Sequence, residues 1–237
     1  MNPSAVVLLS GGIDSGTMLA LALKKEQNVL AVTFLYGQRH EKEASIAHHL
    51  AVHYGVPHQT IKLNSSLFEG SAITSGYPVP EGTYEEAQAG KEGPISTYVP
   101  FRNGNLISAA ASIAVREGAT SVYFAAHSDD SVRWAYPDCT PEFLGAMANA
   151  IYVGTDRKVR LRFPFVFMTK ADIVELAIKL EVPAGLTWSC YKGESKHCGT
   201  CPTCNERIRA FKIAGYRDPV DYNIPIFWED EKPWPKY

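Results

Sequence analysis

Residues 5–17 read AVVLLSGGIDSGT, and this stretch decides the fold. The five apolar residues 5–9 suit a strand buried in a parallel sheet. Gly11 and Gly12 follow, and residues 17–25 then carry Met18, Leu19, Leu21, Ala22 and Leu23 at a density that suits a buried helix. A strand that runs through glycine into a helix gathers backbone N–H groups where the helix dipole favours an anion. Glycine matters in such a turn because a Cβ would obstruct phosphate oxygens. The stretch lacks the spacing of a Walker loop: the one Gly-Lys pair, Gly90 and Lys91, is followed by Glu92. It also lacks the GxGxxG spacing of dinucleotide binders. The turn is therefore expected to hold phosphates without the lysine that reaches for a γ-phosphate.

Working outward, strands are expected at 29–36 and 59–63 with a helix at 41–54 between them, a βαβαβ pattern. Residues 64–99 dissolve into Gly, Pro, Ser and Glu, longer than the roughly 12–15 residues usual for structureless loops. Such a loop is expected to be a lid or to be disordered. A helix at 105–116, a strand at 121–126, a helix at 141–153 and a strand at 160–166 come next. Thr169 and Asp172 then form an N-terminal capping pattern ahead of Ile173, Val174, Leu176, Ala177 and Leu180. The expected fold class is α/β, a parallel five-stranded sheet sandwiched by helices over residues 1–180. A small C-terminal subdomain over 181–237 follows, with a short helix at 205–214 and an aromatic tail carrying Phe227, Trp228 and Trp234.

Composition narrows the function classes. A chain of 237 residues, 46% hydrophobic, can bury about 70% of its unfolded surface and needs no disulfide staple. Its net charge of −2 supplies no global positive field, so bulk nucleic-acid binding is not expected. The first residues, MNPSAVVLLSGG, have neither a basic start nor an apolar run long enough for a signal peptide or a span, which points to a cytoplasmic protein. Of the five cysteines, Cys190, Cys198, Cys201 and Cys204 crowd into 15 residues. In a reducing compartment that spacing points to metal, with Gly199 and Pro202 turning the backbone of CGTCPTC. Four thiolates suit a closed structural Zn²⁺ site, and an iron–sulfur cluster is the rival. His197 is expected to be solvated, and Cys139 to be a small buried residue.

SGGIDS after the first strand resembles the PP-loop of the ATP pyrophosphatases, an adenine nucleotide α-hydrolase-like fold. The resemblance implies that Ser10, Gly11, Gly12 and Ser15 donate to phosphates while Asp14 holds Mg²⁺ or orients the loop. PP-loop and cysteine cluster together resemble the QueC family of 7-cyano-7-deazaguanine synthases over nearly the whole length. YGQRHEKE at 36–43, VPFRN at 99–103, YPDCTPEF at 136–143, Pro164 and Phe165 followed by Lys170, SCYKG and CGTCPTC match in order. The resemblance implies an ATP-dependent, AMP-releasing ligase acting on 7-carboxy-7-deazaguanine and ammonia, with ATP, Mg²⁺ and Zn²⁺ as cofactors. It implies Asp14, Lys170 and Arg102 as catalytic residues. Arg39, His40, Arg102, Asn103, Asp129, Tyr136 and Asp138 are the substrate-binding candidates, Asp130 standing as an option beside Asp129. Cations must gather because a carboxylate repels the ATP phosphates.

The chain departs from the family pattern at Gly16, where a threonine hydroxyl is usual, at Arg133, Trp134 and Ala135, and in a longer tail. These departures keep an alternative in view: a ligase that stops at the amide or joins the deazapurine acid to another amine. A tRNA sulfur or lysine transferase on the same loop would need a basic face, and few basic clusters exist beyond Arg157, Lys158, Arg160 and Arg162. A non-catalytic zinc module leaves SGGIDS unexplained. Partners are thus expected to be small molecules, without nucleic acid or membrane, and the aromatic tail allows a homodimer.

Overall fold

The computed structural model describes residues 2–38, 42–88, 90 and 93–237. Strand β1 (Ala5–Leu8) is buried at all four positions, and its side chains divide between two cores. Helix α1 (Ile13–Lys25), β2 (Val29–Leu35), α2 (Lys42–His53) and β3 (His58–Lys62) follow. A one-turn helix α3 (Tyr84–Ala87), α4 (Arg102–Glu117), β4 (Ser121–Tyr123) and a short α5 (Ser128–Ser131) come next. The chain continues through α6 (Pro141–Gly154), β5 (Arg160–Arg162), α7 (Lys170–Lys179) and α8 (Pro202–Ile213). The five strands form one parallel sheet in the order β3-β2-β1-β4-β5, with Ala5 paired to Val29 on one side and Ser121 on the other. Among the described residues no helix is long and apolar enough to cross a membrane.

The period-two alternation of strand side chains sets the layers. Val6 and Leu8 face Ile107, Ala110 and Ala114 of α4 and Leu144 of α6. Ala5 and Val7 face Met18 and Leu19 of α1, Leu50 of α2 and Ile173 of α7. Each fully buried aliphatic side chain here contributes roughly 1.5–3 kcal/mol, so the sheet is held from both sides. The expected parallel five-stranded sheet between helices is the fold observed.

Three helices begin earlier than the apolar pattern predicts, and each early start concerns the site. Gly12 adopts an extended conformation (φ −77°, ψ 163°) and caps α1, which puts Asp14 and Ser15 in its first turn. Phe101 holds a left-handed conformation (φ 54°) immediately before α4, which puts Arg102 and Asn103 in that helix's first turn. Gly104 makes room for the Phe101 ring, because a Cβ there would stand 2.5 Å from it. Cys201 precedes α8, whose first residue is Pro202, a position where the missing N–H costs nothing.

The segment 64–99 is anchored rather than free. Asn64 caps a 3₁₀ turn at Ser65–Phe68, Thr83 and Glu86 form a capping box on α3, and Phe68, Ile73, Ile95 and Val99 are buried. These apolar anchors pack its described part against the body of the protein. At the other end of the chain, α8 packs on α7 through Phe211, and Trp228 and Trp234 pack against the same cluster. Phe227 is exposed.

Candidate active site and metal centre

The strand order reverses direction at β1, which has β2 on one side and β4 on the other. In open α/β sheets such a switch point leaves a crevice beyond the carboxyl ends of the strands. A cleft of about 240 Å³ lies there, lined by Ser10, Gly12, Asp14 and Ser15 from the turn after β1, and by Arg102, Asn103 and Lys170. These seven residues, predicted far apart in sequence, are brought together. Gly11 turns at φ +89°, and a Cβ on it would stand 2.9 Å from the Glu43 carbonyl oxygen and 3.2 Å from the Ala47 nitrogen. Only glycine lets α2 sit this close to the turn. Inside the turn, the Ser10 N–H donates to Ser15 Oγ at 3.1 Å, and the Ser15 hydroxyl donates to the Gly12 carbonyl at 3.1 Å.

At the floor of the cleft, Lys170 Nζ donates to Asp14 Oδ2 at 2.9 Å, and His127 Nε2 stands 3.7 Å from the same oxygen. Burial alone would raise the Asp14 carboxyl, but Lys170 and His127 outweigh it and hold it well below the ordinary carboxylate range. Burial works against the Lys170 and His127 cations, and the facing carboxylates of Asp14 and Asp130 raise both. Asp130 Oδ2 lies 3.4 Å from His127 Nε2. Asp14 Oδ1 is buried and has no hydrogen-bond partner. An orphaned carboxylate oxygen beside a phosphate-shaped turn fits Mg²⁺, a hard cation that takes one or two carboxylates plus phosphates.

Across the cleft, Arg102 Nη1 donates to the Tyr36 hydroxyl at 3.1 Å and its Nε to Asn103 Oδ1 at 3.1 Å. Burial disfavours the guanidinium, but Tyr36, Tyr191 and Asp138 around it raise its affinity for the proton, so it stays charged.

The remaining substrate-binding candidates are placed otherwise. Asp138 is buried behind Asn103, accepting from its backbone N–H at 2.9 Å and its side-chain nitrogen at 3.1 Å, and does not line the cleft. Tyr136 is buried as well, its hydroxyl 2.8 Å from Thr97 Oγ1. Asp129 is committed to the Lys170 backbone N–H at 2.8 Å, and the neighbouring Asp130 lines the cleft instead. Arg39 and His40 lie outside the described residues. A side chain at Gly16 would meet Leu50, Thr187 and Val182, so the hydroxyl that this position lacks would face packing and not phosphate. Sequence reasoning passed over Tyr36, Glu43, His127, Tyr84 and Tyr191. Tyr36 and Glu43 stand at the two ends of YGQRHEKE, which was their available signal.

The four thiols of Cys190, Cys198, Cys201 and Cys204 are buried and lie within 4.8 Å of one another, a cluster that can hold a metal. A tetrahedral zinc centre with bonds of about 2.3 Å sets its sulfurs about 3.8 Å apart. Cys198 and Cys204 Sγ are 3.8 Å apart. Cys198 Sγ also accepts backbone N–H groups from Thr200 at 3.4 Å and Cys201 at 3.3 Å, as a thiolate ligand does. The thiol-bearing segment is part of the cleft: Trp188, Ser189, Cys190 and Tyr191 line it, and the Trp188 N–H donates to the Gly11 carbonyl at 2.9 Å. His197 is buried and not solvated as expected. Its Nε2 accepts from the Ser189 N–H at 3.1 Å, and burial pushes its pKa down to about 3.

The family model described as Queuosine biosynthesis protein QueC matches residues 4–215. The chain belongs to the QueC family. A 7-cyano-7-deazaguanine synthase of Thermoplasma volcanium is 43% identical over 236 residues, covering 96% of this chain and 95% of that protein. The synthase of Archaeoglobus fulgidus is 45% identical over 220 residues, covering 91% and 89%. That of Thermoplasma acidophilum is 41% identical over 231 residues, covering 95% of each. The turn, the cationic floor and the thiol cluster of this QueC-family chain all lie inside the matched span.

Proposed function

We propose that this chain converts 7-carboxy-7-deazaguanine and ammonia to 7-cyano-7-deazaguanine, consuming two ATP and releasing AMP and pyrophosphate. One observation carries the reading: the glycine turn faces Arg102 across a single cleft, with Lys170 on its floor and His127 3.7 Å from Asp14. Relatives named as this synthase, over 40% identical along nearly the whole chain, favour it over a ligase that stops at the amide or takes another amine.

The residues divide the work. Ser10, Gly11, Gly12 and Ser15 hold the β- and γ-phosphates, which stabilises pyrophosphate as a leaving group and directs attack to the α-phosphorus. Arg102 binds the substrate carboxylate, and its contact with Tyr36 fixes the guanidinium for that task. Lys170 neutralises charge developing between carboxylate and phosphate. Asp14 would hold Mg²⁺ through its free Oδ1; the ion shields the phosphates when bound. Cys190, Cys198, Cys201 and Cys204 would hold Zn²⁺ as a structural centre. The reading carries a reducing, cytoplasmic setting with it, because clustered thiols remain ligands only where they are not oxidised.

In the first half-reaction a carboxylate oxygen attacks the α-phosphorus and pyrophosphate leaves. Ammonia then displaces AMP to give the amide. In the second, the amide oxygen attacks a second α-phosphorus, and loss of AMP leaves the nitrile. Mass spectrometry of a reaction with purified protein, ATP, Mg²⁺, the acid and ammonia is expected to show the nitrile. Amide as the end product would favour the alternative ligase, and unchanged acid would overturn the reading.

A further inference from the structure

Making a nitrile from an amide removes both protons from its nitrogen, so the cleft needs a base beside the reacting carbon. Among the described residues, the carboxylates lining the cleft are Asp14, Asp130 and Glu43. Asp14 is held by Lys170 and His127 at the phosphate end and is a poor proton acceptor. Asp130 is taken up by His127 at 3.4 Å and by the Tyr84 hydroxyl, which donates to it at 3.3 Å. Glu43 differs. It sits in the first turn of α2, where its backbone packs on Gly11, and Arg102 and Tyr36 are the charged and titratable groups that act on its side chain. No ion pair engages it among the described residues.

Resting on the function proposed above, we infer that Glu43 is the general base that strips the substrate nitrogen. Arg102 fixes the carboxyl group, which places the reacting carbon, and the nitrogen bound to it, next to Glu43. Once the amide oxygen has attached to the α-phosphorus and pyrophosphate has left, the nitrogen of the adenylated imidate carries two protons. Glu43 takes the first and passes it to water, then takes the second as the C–O bond breaks. A carbon–nitrogen triple bond forms and AMP departs with the oxygen; no oxidant or reductant is required. The same group takes the one proton that the ammonia adduct sheds in the first half-reaction. Burial pushes the Glu43 carboxyl up to about 7, against the pull of Arg102, which suits a base working near neutral pH.

The test uses the full-length, metal-loaded protein and Glu43→Gln. Acid-dependent exchange of pyrophosphate into ATP involves no nitrogen and is expected to stay within about threefold of wild type. Nitrile formation from synthetic amide is expected to fall about 10²- to 10⁴-fold. The wild-type rate from amide should drop as pH falls through about 7, where Glu43 takes up its proton, and Glu43→Gln should lack that acid limb. Near-wild-type nitrile formation, or an unchanged acid limb, overturns the assignment. Exchange that falls in step with nitrile formation also overturns it, since Glu43 would then be a binding or structural residue. A wild-type protein with no acid-dependent exchange would instead overturn the function on which the assignment rests.

Discussion

Asp14 shows how one side chain's chemistry is set by its neighbours. Its Oδ2 is fixed by Lys170 at 2.9 Å, and its Oδ1 is buried without a hydrogen-bond partner, so the carboxylate is anchored at one oxygen and unpaired at the other. Asp14→Ala is expected to lower AMP formation about 10²- to 10³-fold while the protein stays folded, because β1 and both sheet cores do not depend on it. Circular dichroism and an AMP assay check both halves, and undiminished turnover would remove the loop from the chemistry. Asp14 was legible in the sequence because its offset from two glycines is distinctive. His127 was not, since a lone histidine after a strand carries no pattern and its role depends on Asp14 arriving from a distant segment, beside Asp130 three residues on. For the same reason sequence could not tell Asp129 from Asp130: adjacent carboxylates differ only in direction, and a backbone N–H on α7 claims the first.

Among the elements, helix starts do most of the positioning. Thr169 and Asp172 cap α7 reciprocally, Thr169 accepting from the Asp172 N–H at 3.2 Å and Asp172 from the Thr169 N–H at 2.8 Å, which places Lys170 in the first turn. That cap was readable because its residue types and spacing are local. The early start of α4 was not, because it depends on Phe101 accepting φ 54°, a strain of roughly 1–3 kcal/mol maintained by its packing. The thiol-bearing segment behaves as an element of the cleft: Trp188 holds Gly11, and Lys42 lies 3.5 Å over the Trp188 ring while donating to the Glu194 and Ser195 carbonyls. Cys201→Ser is therefore expected to lower metal content, thermal midpoint and ATP affinity together, measured by metal analysis, scanning calorimetry and nucleotide binding. Full ATP affinity in a metal-depleted variant would separate the thiol cluster from the loop.

Across the whole molecule, the parallel order β3-β2-β1-β4-β5 makes a switch point at β1, and the glycine turn proposed to hold phosphate lines the cleft there. The fold was legible because the central strands β1 and β2 are continuous buried apolar runs and the helices between strands keep a 3.6-residue period. The segment 64–99 was less so, since its anchors Phe68, Ile73, Ile95 and Val99 are scattered singly among polar residues and reveal themselves only on packing. Arg207 and Asp218, with buried side chains joined by bonds of 2.6 and 2.9 Å, lock the C-terminal part together, and Arg207 also donates to Thr187 and Ser189 beside the thiol cluster. The most direct measurement follows both carboxylate oxygens of the substrate. With acid labelled at each position by ¹⁸O, every nitrile should be accompanied by two AMP molecules, each carrying one labelled oxygen on phosphorus. Label found in orthophosphate beside ADP, or unlabelled AMP, would contradict the account.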